Sequence, residues 1–170
     1  MNITAPQNPT DYVNIAYYKF VAIEDPNKLR TNLLNFCNSL NIKGTILLAK
    51  EGINSCLVGT ADSIDAYIEF MHAKKEFSDV EFKKSYSAHI PFRRMLVKVK
   101  NEIIPMGMDS IKPAHFTGKY VEALELKKWL DEGEDLVIRR IINKKEVDLG
   151  TFKGAIDPKL TKFRDFPKWI

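Results

Sequence analysis

The sequence predicts an α+β domain over residues 1–107, a linker at 108–119, and an incomplete α/β segment at 120–170. Two observations carry this reading. Short β-branched or alternating runs are separated by two stretches of helical spacing, in the order strand, helix, strand, strand, helix, strand, which is the split βαβ pattern of ferredoxin-like domains with one strand added. Beyond residue 107, in contrast, no set of strands long enough to finish a second sheet follows.

The first strand is expected at Val13–Ile23, where VNIAYYKFVAI is rich in β-branched and aromatic residues. Asp25-Pro26 then offers an N-cap and a proline at the first helical position. Leu29, Leu33, Phe36, Cys37 and Leu40 recur at helical spacing behind it, and Lys43-Gly44 supplies a stop. Thr45–Ala49 and Ile53–Gly59 are short apolar segments around the turn Lys50-Glu51-Gly52, so they read as the second and third strands. Thr60 caps a second helix with the stripe Ile64, Tyr67, Ile68 and Met71, expected to end near Lys75. Val80–Tyr86 and Met95–Ile104 alternate apolar with charged residues, as half-buried strands do, and both are expected to pair antiparallel. In the last segment Val121–Leu130 reads as a helix with Leu124, Trp129 and Leu130 as anchors and Gly133 as its stop, and Leu136–Ile142 as a strand interrupted by Arg139-Arg140.

Composition narrows the function classes. The net charge of +4, from 26 basic and 22 acidic side chains, permits phosphate contact without requiring it, so placement decides. The polar start Met1–Thr10 has no apolar core of a secretory signal, and no apolar run reaches membrane-spanning length, so the sequence reads as cytoplasmic with no membrane partner. Cys37 and Cys56 show neither C-x-x-C spacing nor a neighbouring histidine pair, so no metal and no cofactor is expected.

Four motifs, Tyr17–Phe20 (YYKF), Lys43–Asn54 (KGTILLAKEGIN), Pro91–Ile103 (PFRRMLVKVKNEI) and Gly150–Pro158 (GTFKGAIDP), resemble the rhodanese-domain proteins once called UPF0176, over about Tyr17 to Ile170. That family is associated with oxygen-dependent hydroxylation of the wobble uridine of tRNA to 5-hydroxyuridine. The resemblance implies an acylphosphatase-like (ferredoxin-like) N-terminal domain, then a rhodanese domain with a cysteine in a C-x-x-G-x-R loop. Within Arg139–Glu146 the chain departs from the pattern, the Asp-x-Arg strand end being absent and only Asn143 and Glu146 onward returning to it, and it holds no cysteine after Cys56. The expectation is therefore a truncated rhodanese-like segment, with tRNA binding retained and catalysis absent in the isolated chain. Two rivals remain open: half of an interrupted hydroxylase completed by a downstream-encoded rhodanese fragment, and a protein-interaction module with no RNA role.

A rhodanese thiolate needs a loop of backbone N–H groups and nearby positive charge. Cys37 lies on a helical apolar stripe and Cys56 within a strand, so packing is expected for both and no residue is assigned a catalytic role. The segment Glu24–Lys28, where an acylphosphatase would hold phosphate, is acidic and lacks glycine and arginine. Lys83, Lys84, Arg93, Arg94, Lys98 and Lys100 form a basic stretch with no acidic residue among them, interleaved with Tyr86, His89 and Phe92. Charge pattern alone favours a sheet edge protected by lysines, and the resemblance shifts the balance to RNA contact. Lys50, Gly52 and Asn54 form a second candidate contact, balanced against a plain hairpin turn. Arg139, Arg140, Lys144 and Lys145 read as drift, and His72 and His115 as isolated packing or surface residues.

Overall fold

The computed structural model describes residues 12–104, 106–108, 118–139, 152–160 and 162–169. It divides into two compact units, Met1–Ile104 and Pro105–Ile170. The first is built from β1 (Tyr12–Phe20), α1 (Pro26–Ser39), β2 (Lys43–Ala49), β3 (Gly52–Gly59), α2 (Ala61–His72), β4 (Lys83–Ser87) and β5 (Met95–Val99). The strands form one sheet in the order β4-β1-β3-β2-β5, so the expected ferredoxin-like order is present with the extra strand at the β2 edge.

Local sequence explains most boundaries. Asp25 caps α1, its Oδ1 accepting from the Asn27 and Lys28 N–H groups at 3.0 and 2.9 Å, with Pro26 at the first turn. Thr60 Oγ1 accepts from the Ser63 N–H at 3.3 Å and starts α2. Lys43-Gly44 does not stop α1. The helix ends at Ser39, and Asn41 takes the left-handed turn at φ 55, a conformation asparagine tolerates, which frees Gly44 to enter β2. There a side chain has no room: a Cβ would lie 2.2 Å from the Cys56 carbonyl oxygen.

Two expected strands shift. Val80 and Phe82 pack inward before the strand begins at Lys83, because a 3-10 turn at Lys75–Phe77 seats Phe77 wholly in the core and shortens the run available for pairing. β5 pairs parallel with β2, not antiparallel as expected. The reason is topological. β4 and β5 occupy opposite edges, four strand spacings or roughly 19 Å apart, and Ala88–Arg94 carries the chain across the end of the sheet, delivering β5 in the direction of β2. Seven residues reach at most about 25 Å, so that crossing is nearly extended.

α1 and α2 cover one face of the sheet. Leu33, Cys37, Ile64, Tyr67 and Met71 meet Ile15, Tyr17, Ile46, Ile53 and Leu57, all buried. Full burial of each such side chain contributes about 1.5–3 kcal/mol. Phe36 and Phe70 stack between the helices with centroids 3.9 Å apart. One polar pair sits inside this layer: the Tyr17 and Tyr67 hydroxyls are 2.5 Å apart and buried. Ser55 Oγ is buried beside them without a regular partner.

In the second unit α3 (Ala123–Glu132) ends on Gly133, whose left-handed φ of 73 makes it the stop read from the sequence. Arg139 forms an isolated parallel bridge with Ile156, with Ile156 N–H donating to Ile138 O at 2.8 Å. A short helix α4 (Phe166–Trp169), not expected from the sequence, stacks Phe166 on Trp169, and the Arg139 guanidinium lies 5.7 Å from the Trp169 ring. Most of the 108–119 linker, and Arg140, Lys144, Lys145 and His115, lie outside the described residues.

Burial pushes both core phenols, Tyr17 and Tyr67, above their ordinary value. They stay neutral in the fold and ionise near pH 10 once unfolded, so stability is full below about pH 10 and falls as pH rises above it. Chemical denaturation along a pH series should show this loss, and Tyr17→Phe/Tyr67→Phe should reduce it. An unchanged alkaline slope in the double variant would show that other groups drive it. Tyr67→Phe alone leaves the Tyr17 hydroxyl unpaired and should cost about 1–3 kcal/mol.

Candidate nucleic-acid interface

Pleating sends alternate strand residues to opposite faces, and the registers fix which ones. Tyr17, Ile15 and Val13 point to the helices, so Tyr18, Ala16 and Asn14 point away. Ala16 pairs with Lys83 on one side and Cys56 on the other, Cys56 with Thr45, and Thr45 with Leu96. Tyr18 pairs with Asn54, Asn54 with Leu47, and Leu47 with Lys98. Lys83 and Lys98 thus share the face turned away from α1 and α2, at its two opposite edges.

The basic stretch is consequently not one patch. Lys84 pairs with Ile15, turns to the helix side, and forms an ion pair of 3.0 Å with Asp65 of α2. Both partners are well exposed, so the pair adds little stability, but it occupies the lysine charge. Arg93 and Arg94 are exposed on the crossing segment, and Arg94 O accepts from the Gly44 N–H at 3.2 Å. Lys100 lies just past β5, exposed, its N–H donating to Leu48 O at 2.7 Å. Of the interleaved groups, Tyr86 lies on the helix side at the sheet edge and is 62% exposed, and Ser87 Oγ donates to His89 O at 2.8 Å.

The Lys50-Glu51-Gly52-Ile53-Asn54 loop is a two-residue hairpin between β2 and β3, and its polar groups face another part of the same chain. Glu51 Oε1 accepts from Ile103 N–H at 2.8 Å, and Asn54 Nδ2 donates to Ile103 O at 3.5 Å. Ile103 is buried between them. Lys50 and Glu51 carbonyls accept from Ile23 and Val21 N–H at 3.0 and 2.9 Å. Gly52 (φ 155) is buried, and a Cβ there would stand 2.1 Å from Lys19 O, so glycine here lets β1 and β3 approach. Lys50 alone of the three candidates projects its side chain as an exposed residue.

The thiols separate. Cys37 is buried as expected, and desolvation pushes its ionisation up to about 12. Cys56 is exposed, which corrects the packing role expected for it: β3 is the middle strand, but Cys56 faces away from the helices. Partial burial still raises its ionisation. At the α1 N-terminus the Asp25 carboxylate takes the Asn27 and Lys28 N–H groups, which leaves them closed to an external anion. His72 is structural, its Nε2 3.0 Å from Val80 O and its ring edge-on to Phe82. Among the described residues no group of His, Cys, Asp and Glu has the arrangement of a metal site.

Sequence reasoning missed Tyr18, Phe20, Lys43 and Cys56 as members of one surface. The alternation of the first strand placed Tyr17 and Tyr18 on opposite faces, but which face the helices would cover was not readable from that run alone.

Residues 12–103 match the UPF0176 acylphosphatase-like domain. The chain is 44% identical over 161 residues to a tRNA uridine(34) hydroxylase of Bordetella parapertussis, covering 95% of this chain and 67% of that protein. It is 48% identical over 162 residues to a tRNA uridine(34) hydroxylase of Variovorax paradoxus, covering 92% and 62%. A third relative of that name, from Staphylococcus haemolyticus, is 44% identical over 161 residues, covering 94% and 50%. The chain thus spans between half and about two thirds of the length of these relatives. Among solved structures, an acylphosphatase from Coxiella burnetii aligns with a TM-score of 0.43 at 12% identity, over 56% of this chain and 100% of that one. The BLUF protein BlrB aligns at 0.48 and 14%, over 74% and 99%.

With a thiol reagent at neutral pH, Cys56 should react in the native protein and Cys37 only after denaturation. Because desolvation raises the Cys56 ionisation, its labelling rate should keep climbing as pH passes the ordinary thiol value of about 8.5. Cys56→Ser should abolish the native reaction. Labelling of both thiols without denaturant would contradict the closed core around Cys37.

Proposed function

The chain belongs to the UPF0176 family, carrying its acylphosphatase-like domain at residues 12–103, and from that membership we propose that it is the N-terminal part of a tRNA uridine(34) hydroxylase. In this reading it contributes tRNA contact and not the chemical step. The observation that carries it is 44–48% identity to proteins of that name along 92–95% of the chain. Similarity of that extent reaches both units, so the second unit is read as the opening of the rhodanese portion.

Two physical features support the division between contact and chemistry. Both thiols are held toward their protonated forms, Cys37 by burial in the core and Cys56 by partial desolvation, and a protonated thiol is a poor nucleophile. Exposed cations, in contrast, are well supplied: Lys83, Arg93, Arg94, Lys98 and Lys100 all reach solvent. Cations in these positions attract a polyanion and release its counterions on contact. A downstream-encoded rhodanese fragment is the partner that would supply the reacting thiolate. No described helix is long and apolar enough to cross a membrane, and the reading places the chain with tRNA in the cytoplasm.

Supplied with undermodified tRNA and oxygen, the purified chain should yield no hydroxyuridine by mass spectrometry. Enzyme-dependent product from the isolated chain would overturn the division proposed here. tRNA affinity should fall steeply with salt, and Arg93→Ala/Arg94→Ala should lower it while flattening the logarithmic salt slope by roughly 1–2. Unchanged affinity and slope in that variant would remove the crossing segment from the contact.

A further inference from the structure

We propose that the sheet face turned away from α1 and α2 is a platform for unpaired nucleotides, on which the Tyr18 and Phe20 rings stack bases while Lys43, Lys83 and Lys98 hold phosphates. The inference rests on the reading that the chain contacts tRNA, and it goes further by naming the surface and the kind of RNA segment that fits it.

The face is built for this in three respects. Its middle is low: Ala16 and Cys56 are paired neighbours on β1 and β3, both exposed, and they leave a floor with little side-chain height. Beside that floor stand two rings from one strand. Tyr18 is 44% exposed, and its centroid lies 6.1 Å from that of Phe20 at an interplanar angle of 72°. Aromatic faces of this kind accept any base, because every base has a π-face. The bases must be unpaired, since a paired base has both faces covered by its neighbours in the helix.

Charge then selects the partner. Lys83 stands at the β4 edge and Lys98 at the β5 edge, with Tyr18 in the Lys98 row and next to the Lys83 row. Lys43 pairs with Val58 and occupies the same face toward the opposite end of the strands. None of the five strands contains an aspartate or glutamate, and at the hairpin end the Glu51 carboxylate is taken up by the Ile103 N–H, where Ile103 packs beside Gly52 and Asn54 and bounds the platform. Cations at both edges and rings between them match a single strand laid across the sheet, its phosphates outward and its bases on the floor. A protein partner would find Leu47 and Leu96 beside the rings, but no anionic counterpart in the strands for its own cations.

The native Cys56 thiol reports on occupancy, because it lies on the floor of the face. The full chain would be alkylated in the presence of oligouridylate, of an RNA duplex of equal length, and of whole tRNA, with affinities measured by fluorescence anisotropy. Oligouridylate and tRNA should slow Cys56 alkylation severalfold, and duplex should not. Tyr18→Ala should weaken oligouridylate binding roughly tenfold or more, and Tyr18→Phe should retain it, because stacking needs the ring and not the hydroxyl. Each of Lys43→Gln, Lys83→Gln and Lys98→Gln should flatten the salt slope by about 0.7. The Cys56 measurement uses the unaltered protein, so it stands even where a ring variant folds poorly. If tRNA binds but Cys56 stays fully reactive and Tyr18→Ala binds normally, this face is overturned while the tRNA reading survives. If no RNA binds, both fail. Protection of Cys56 by a protein partner and not by oligouridylate would overturn the proposal in favour of protein docking.

Discussion

Two helices covering one side of a five-stranded sheet is the constraint on which the rest of this unit depends. Burial against α1 and α2 gives the strands two unlike sides, one committed to the core and one on which Ala16, Tyr18, Cys56 and Lys98 stay exposed. On β1 the consequence is sharp: Tyr17 is buried and hydrogen-bonded to Tyr67, and its neighbour Tyr18 is 44% exposed on the other side. The same division separates the adjacent lysines Lys83 and Lys84. Identical chemistry is thus given opposite roles by one step along the chain.

The arrangement is held at its ends by backbone contacts more than by ion pairs. Gly52 lets β1 and β3 close together, and the hairpin beside it grips Ile103 through Glu51 and Asn54. This grip ties the segment after β5 to the hairpin in the middle of the sheet, and Arg30 of α1 donates to Val97 O of β5 at 3.0 Å. The added strand is therefore anchored from the sheet, from the helix and from the hairpin. The surface ion pairs, Lys84 with Asp65 and Lys19 with Asp79, involve exposed carboxylates and contribute far less.

The contact proposed with a flexible polyanion would draw on the rigidity of the sheet. A rigid sheet presents its outer side chains at fixed spacing, so the backbone beneath the rings and cations needs no ordering at the moment of binding. Neither thiol of this unit is held as thiolate: burial raises the ionisation of Cys37 and partial burial that of Cys56. At the α1 N-terminus the Asn27 and Lys28 N–H groups are taken by the chain's own Asp25 carboxylate.

What the sequence determined by itself was local. The caps at Asp25 and Thr60, the stop at Gly133, the stripes of α1 and α2, and the alternation that makes strands all arise from residues a few positions apart, so their signals are complete within a short window. The motifs Tyr17–Phe20, Lys43–Asn54 and Pro91–Ile103 likewise carried the family resemblance. Tertiary structure decided what depends on distant partners. The parallel entry of β5, the inward turn of Val80 and Phe82, and the clamp on Ile103 each require a neighbour many residues away. So does the split of the basic stretch: alternation says that Lys83 and Lys84 differ in direction, but only the packed helices say which direction is the core. A pleated strand has two equivalent sides until something covers one of them.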